Sequence, residues 1–235
     1  MKDVESMYMD GTYLQENPEW DRNDASWKAG CVSAILSDNH VYPQSICDVG
    51  CGSGDVLANL RESFPGAALT GFDISPQASQ FWSRHSGIVF HRGRFHEVND
   101  AVHDVLLMLD VIEHVRDPFS FLEDSRKFAS HVVLHIPLDL SVSTVIRGTP
   151  LLQARRKVGH IHYYTKDLAL EMLSDTGYVV TDWRYTDPLT TLATHRRLKT
   201  RLAALPRRLA YAVNKDFGVR LLGGETLLVL AQPRV

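Results

Sequence analysis

Cysteine is scarce in this 235-residue chain: Cys31, Cys47 and Cys51 are the only three, with no C-x-x-C or zinc-type spacing. A disulfide framework is thereby excluded, and a reducing, cytoplasmic setting is expected. No apolar run approaches the roughly 18 residues of a membrane span. The opening stretch MKDVESMYMD is acidic and lacks an apolar core, so no secretory leader is expected. Charge of a single sign is missing too. Lys and Arg number 25 against 28 Asp and Glu, a net charge of −3, which argues against a nucleic-acid partner. Internal repeats and low-complexity runs are absent. What is present, 44% apolar and 23% charged residues, is the balance of a globular chain that buries its own core.

The charge is unevenly spread. Thr190–Leu222 holds eight basic residues and one acid, Asp216, so this stretch is +7 and the remainder −10. Its leucines (Leu192, Leu198, Leu202, Leu205, Leu209) fall at near-helical intervals between arginines. Such a stretch either packs on its own domain with the arginines outward or lies on an anionic membrane surface. If it packs, it is expected to cover the pocket at the sheet edge.

From Ser45 onward short apolar runs alternate with helical stretches. Strands are expected at Ser45–Val49, Ala68–Phe72, Ile88–Phe90, Asp104–Leu109, His131–Ile136, Tyr178–Tyr185 and Glu225–Ala231. Helices are expected at 24–35, with Trp27, Cys31, Ala34 and Ile35 on one face, and at Asp55–Phe64, Pro76–Arg84, 118–129 and 166–175. Asp117-Pro118 opens one of these and Thr165 caps another, with Gly177 as its stop. The alternation predicts an α/β fold: a doubly wound, mostly parallel seven-stranded sheet with helices on both faces. The last two strands are expected to form an antiparallel pair around the basic segment. The first 40 residues are acidic and aromatic, with Tyr8, Tyr13, Trp20 and Trp27.

The most informative stretch is Asp48-Val-Gly50-Cys51-Gly52-Ser-Gly54-Asp55, between a strand and a helix at the carboxyl edge where α/β sheets bind ligands. Glycines let the backbone approach a ligand closely. A dinucleotide fingerprint needs a glycine at position 55, where Asp55 stands, and no Lys-Ser/Thr follows as in a P-loop. Asp48 suits a ligand with a cationic end. Nineteen residues past Gly54, Asp73 closes the second strand, placed to accept hydrogen bonds from a ribose.

These motifs, D-V-G-C-G-S-G, G-F-D-I-S and D-V-L-L-M-L-D-V-I-E-H-V-R-D-P, resemble those of class I S-adenosylmethionine-dependent methyltransferases. The E-H-V-x-D-P tail is similar to that of the ubiquinone-biosynthesis O-methyltransferases and small-molecule relatives. The resemblance implies an N-terminal helical cap over 1–40 and a Rossmann-like methyltransferase domain over 41–235, within which the basic stretch is expected as a helical insertion at about 188–222. It implies that Asp48, Gly50, Cys51, Gly52 and Gly54 hold the methionyl end of S-adenosyl-L-methionine. Asp73 takes the ribose and Ile74 meets the adenine. Arg94 and Phe95 follow the third strand, where the family often has an acid and an apolar residue, and Phe95 is expected to stack on the purine. Leu109 and Asp110 lie beside the sulfonium.

Methyl transfer rests largely on holding two reactants in line, worth up to about 7–11 kcal/mol. A base matters only where the nucleophile must lose a proton. Two histidines are candidates by location, His160 in Gly159-His160-Ile-His162 and His114 in Glu113-His114. Some quinone-pathway relatives bind a divalent metal with an acid, Glu and His in this region, and Asp110, Glu113, His114 and His160 match that composition; the expectation is nevertheless of no metal. Leu109-Asp110-Val111-Ile112 replaces the Asn/Asp-Pro-Pro-aromatic tetrad of nucleic-acid amino-methyltransferases. A small-molecule or lipid-linked acceptor, methylated on oxygen, is therefore expected, and no nucleic acid. A peripheral membrane contact through 190–222 stays open. The rival readings are a nicotinamide-dependent oxidoreductase and a non-catalytic methyltransferase-like binding protein.

Overall fold

The computed structural model describes residues 4–18, 20, 22–187 and 205–234. Seven strands, β1 (Ser45–Val49), β2 (Ala68–Asp73), β3 (Val89–Arg92), β4 (His103–Leu109), β5 (Ala129–Pro137), β6 (Tyr178–Thr186) and β7 (Thr226–Pro233), form one sheet in the order β3-β2-β1-β4-β5-β7-β6. β7 runs antiparallel to both β5 and β6, and the other pairings are parallel. The expected sheet and its antiparallel final pair are both present.

Side chains alternate across a strand, and the core divides accordingly. Ile46, Val105, Leu107, Val133 and Leu228 pack on one face with Ile35 and Leu36 of α3 (Ala25–Asp38) and Leu57 and Leu60 of α4 (Asp55–Ser63). Cys47, Leu106, Met108, Leu134 and Val229 pack on the other. There they meet Leu122 of α6 (Pro118–Ser125), Leu173 of α9 (Lys166–Asp175) and Val219 of α11 (Lys215–Leu222). β1, β4 and β7 are covered on both faces, which explains their nearly continuous apolar sequences. Asp117 caps α6 by accepting from the Ser120 N–H at 3.0 Å, and Pro118 is its first residue.

Several boundaries differ from the sequence reading. α3 turns Ala29, Val32, Ile35 and Leu36 inward, while Ala34 is exposed. This shifts the buried stripe off Trp27 and Cys31, because Trp27 faces the ligand cleft instead. Ala78–Arg84 is 3-10 rather than α-helix, and the helix at 118 ends at Ser125. Three short helices were not anticipated: α5 (Phe95–Val98), α7 (Val142–Arg147) and α8 (Thr149–Lys157).

The segment read as a cap divides in two. α3 belongs to the helical layer with α4. Only α1 (Val4–Met9), α2 (Thr12–Glu16) and the turn to Asp24 lie over the sheet edge, where Tyr13, Trp20 and Ala78 share a small core. Of the basic segment, α10 (Leu205–Val213) and α11 are described, and residues 188–204 lie outside the described residues. No described residue from 205 to 222 lines the main cleft, and the remainder of the segment expected to cover the acceptor pocket lies outside the described residues. α11 packs against α7 instead. Among the described residues no helix is long and apolar enough to cross a membrane.

Candidate active site

The glycine loop leaves β1 at Asp48. Gly50, Gly52 and Gly54 have φ of 74°, 52° and 81°, the left-handed region where other residues are strained. Space forbids side chains as well. A Cβ on Gly50 would lie 2.9 Å from a Val111 methyl, and one on Gly52 2.7 Å from the Trp20 indole nitrogen. The N–H groups of Gly50 and Cys51 donate to the Phe72 carbonyl at 2.8 and 3.0 Å, tying the loop to β2. At the end of β2, Asp73 accepts from the Gly52 N–H at 2.8 Å and the Ser75 N–H at 2.7 Å. A carboxylate has about four acceptor sites, so lone pairs remain for a vicinal diol. Burial pushes the Asp73 carboxyl up, and the backbone N–H groups of Ser75 and Gly52 oppose that push.

Asp48 is buried, and among the described residues its Oδ1 has no hydrogen-bond partner. Burial pushes its carboxyl up to about 8, against the pull of Lys28. An orphaned buried carboxylate oxygen beneath a glycine loop fits a ligand that brings a cation, such as the ammonium and sulfonium of a methionyl group. The Cys51 thiol beside it is buried and raised well above its ordinary range, first by burial and then by Asp73 and Asp48.

One cleft of about 940 Å³ begins at this loop, a volume within the usual range for ligand sites. Asp48, Gly50, Cys51, Gly52, Asp73, Ile74, Arg94, Phe95, Leu109, Asp110, His114 and His160 all line it. Gly54 does not. It sits behind the loop as the first turn into α4, where a Cβ would strike Phe90 at 2.6 Å. Phe95 borders the cleft, but its ring is 3% exposed and packs edge-on against Phe72 and Phe128. It is a floor, and its face is not free to stack as expected. The Arg94 guanidinium is taken up by Glu5 in two contacts of 2.7 and 2.8 Å, which fasten α1 across the cleft.

The opposite end is built from distant segments. Asp110 follows β4 with φ 56° and bonds Lys28 at 2.8 Å and His135 Nδ1 at 2.9 Å. Burial raises its carboxyl, but Lys28 and then His135 outweigh this and hold it well below the usual range. Trp27 meets the His135 ring edge-on at 5.6 Å. Asp110 is thus occupied and stands apart from the histidine pair.

That pair meets around Glu113. The His114 and His160 rings are 4.9 Å apart, and their Nε2 atoms lie 3.8 and 3.9 Å from Glu113 Oε1. His160 Nδ1 is bonded to Asp139 at 2.5 Å, which leaves the Nε2 lone pair facing inward. His114 Nδ1 lies 3.2 Å from the Tyr8 hydroxyl, which itself donates to the Val158 carbonyl. Glu113 is 1% exposed, and neither carboxylate oxygen has a hydrogen bond among the described residues. Burial and then the Asp110 charge push its carboxyl well above the ordinary range. Burial and then His160 push His114 down to about 4. Glu113, His114 and His160 offer ligand atoms all within 4.8 Å of one another, a donor set that suits either a shared proton or a small cation. Sequence reasoning named the two histidines but missed Asp139, Tyr8, Lys28 and Glu5, which orient or neutralise the groups around them.

Comparison with known proteins identifies the family. Residues 29–182, about two-thirds of the chain, match the model of a methyltransferase-domain family. The chain belongs to the class I S-adenosylmethionine-dependent methyltransferases, and the nicotinamide reading falls away. A ubiquinone biosynthesis O-methyltransferase of Rickettsia conorii is 26% identical over 157 residues, 59% of this chain and 52% of that protein. A tetrahydroprotoberberine N-methyltransferase of Papaver bracteatum is 24% identical over 144 residues, 54% of this chain and 39% of that one. The chain therefore matches about half the length of these curated relatives or less. The plantazolicin methyltransferase BpumL, solved in complex with S-adenosylhomocysteine, shares the fold with a TM-score of 0.60 at 15% identity. That likeness covers 99% of this chain and 95% of the other.

Proposed function

We propose that this chain transfers a methyl group from S-adenosylmethionine to the oxygen of a small or lipid-like acceptor, with His160 receiving the acceptor's proton. The observation that carries the reading is the single cleft joining Asp48 and Asp73 at one end to His160 at the other. When bound, S-adenosylmethionine supplies a methyl on a sulfonium, and the thioether left behind is neutral and needs no acid. The chain does the rest. Asp73 takes the ribose hydroxyls, and the orphaned Asp48 oxygen faces the positive methionyl end. Tyr8, Tyr13 and Trp20 wall the cleft against water. Asp139 fixes His160 with its Nε2 lone pair available and stabilises the imidazolium that forms when the hydroxyl proton arrives. The electron pair of that O–H bond makes the new O–CH3 bond as the S–CH3 bond breaks.

Burial and then the neighbouring His160 already disfavour protonation of His114. His160→Ala is expected to lose roughly 10²–10⁴ in turnover on a hydroxyl acceptor, with S-adenosylhomocysteine affinity retained by calorimetry. Undiminished transfer by His160→Ala alongside loss in His114→Ala would reverse the assignment. Transfer to amine acceptors alone would move the reaction to nitrogen, as in the Papaver relative's name.

A further inference from the structure

Between β5 and α9 the chain leaves the cleft at Pro137, runs through α7 and α8, and returns to it at Val158 and His160. This hairpin presents an uncovered apolar stripe. Val142, Val145 and Ile146, spaced i, i+3 and i+4 on α7, are 49%, 56% and 79% exposed, and Leu152 on α8 is 52% exposed. Leu152 shares its face with Arg155 and Arg156, and Lys157 follows. From Leu140 to Lys157 there are four basic residues and no acid in a chain of net charge −3. Among the described residues, Arg155, Arg156 and Lys157 have no carboxylate partner.

From this surface we infer that the α7–α8 hairpin docks on an anionic lipid bilayer, with Val142, Val145 and Ile146 in the acyl boundary and Arg155, Arg156 and Lys157 among the headgroups. The charge pattern selects this occupant. A second copy apposed through the same face would bring +4 onto +4. Residues 188–204 of this chain carry four basic residues and no acid, so their charge does not suit this patch. An anionic bilayer supplies both partners at once, negative charge for the α8 end and an apolar phase for the α7 stripe. Docked this way, the hairpin sets the His160 end of the cleft at the membrane, where a lipid-like acceptor is concentrated. The inference rests on the acceptor class proposed above but not on the transfer chemistry.

The test is co-sedimentation of the full chain with extruded vesicles of pure phosphatidylcholine or of equal parts phosphatidylcholine and phosphatidylglycerol. Pelleting is expected with the anionic vesicles only, and it weakens in high salt. Reversing three headgroup charges (Arg155→Glu, Arg156→Glu, Lys157→Glu) is expected to lower partition by about two orders of magnitude. The pair Val145→Asp and Ile146→Asp is expected to abolish pelleting. Both variants should bind S-adenosylhomocysteine like the parent, since neither site touches the glycine loop; that measurement reports folding and the cofactor reading separately. No pelleting of the parent at low salt overturns the inference, as does unchanged pelleting of Val145→Asp, Ile146→Asp. A concentration-dependent dimer, lost in that variant and formed without vesicle binding, overturns it in favour of a contact between copies.

Discussion

The two ends of the cleft hold their charges by different means. At the glycine-loop end, Asp73 is gripped by backbone N–H groups of Gly52 and Ser75, and Gly50 and Cys51 are tied by backbone to Phe72. At the histidine end, side chains hold side chains: Asp139 on His160, Tyr8 on His114, Lys28 on Asp110. Backbone bonds to a sheet edge leave little freedom to change and suit the methyl donor that defines the family. Side-chain networks alter with single substitutions and suit the partner that varies. The first end should therefore fail through affinity and the second through rate and pH dependence.

The largest effect on affinity is expected at the backbone-gripped end. On the ribose contact proposed above, Asp73→Ala removes two charge-assisted hydrogen bonds, each worth about 1.5–3 kcal/mol, and S-adenosylhomocysteine affinity is expected to fall at least a hundredfold by calorimetry. A fall of less than threefold would break the contrast, because Asp73 would then only hold the loop. At the other end, Asp139→Asn keeps an acceptor for His160 but deletes its negative charge. Turnover is expected to drop about 10–100-fold, with cofactor affinity unchanged.

Asp48 sharpens the comparison through stability. Its carboxyl, ordinarily near 4, stands at about 8 in the folded chain. Between those values the native protein keeps a proton that the unfolded chain releases, so the cofactor-free protein loses stability as pH rises from 4 to 8. Asp48→Asn should flatten that decline in Tm measured from pH 5 to 8, while costing about tenfold in S-adenosylhomocysteine affinity. An unchanged slope would place the burden on another buried acid, with Glu113 the first to examine. The smallest effect belongs to the fastening of α1. Glu5→Ala breaks an exposed ion pair with Arg94, worth about 0.2–1 kcal/mol, and cofactor affinity should fall less than fivefold.

The sheet and the loop end were legible because their signals are local. Gly50, Gly52 and Asp73 lie within one β-α-β stretch, and the apolar runs of β1, β4 and β7 announce strands buried on both faces. The histidine end was legible only as a list of residues. Nothing local joins Asp139 to His160 across 21 positions, or Tyr8 to His114 across 106; the folded sheet alone brings them together. α7 escaped notice because Val142, Thr144, Val145 and Ile146 are β-branched, with weak helix propensity. The helix is secured by the reciprocal bonds between Ser141 and Thr144. Lys28 was hidden by its neighbour Trp27, whose apolar bulk suggested a core-facing stripe.

The state of Cys51 bears on a danger the enzyme makes for itself. Sulfur anions are strong nucleophiles toward an activated methyl, and Cys51 belongs to the glycine loop that borders the cleft, with its sulfur packed beside Gly71. A thiolate there would be alkylated, and the added methyl would occupy room the donor needs. Burial first, and then the Asp73 and Asp48 carboxyls, hold the Cys51 thiol well above its ordinary range, and Cys47 behind it is raised in the same way by burial and Asp48. The acids that welcome a positive ligand thus also protect the protein from methylating itself, and a catalyst so shielded keeps its reagent for the molecule it was meant to modify.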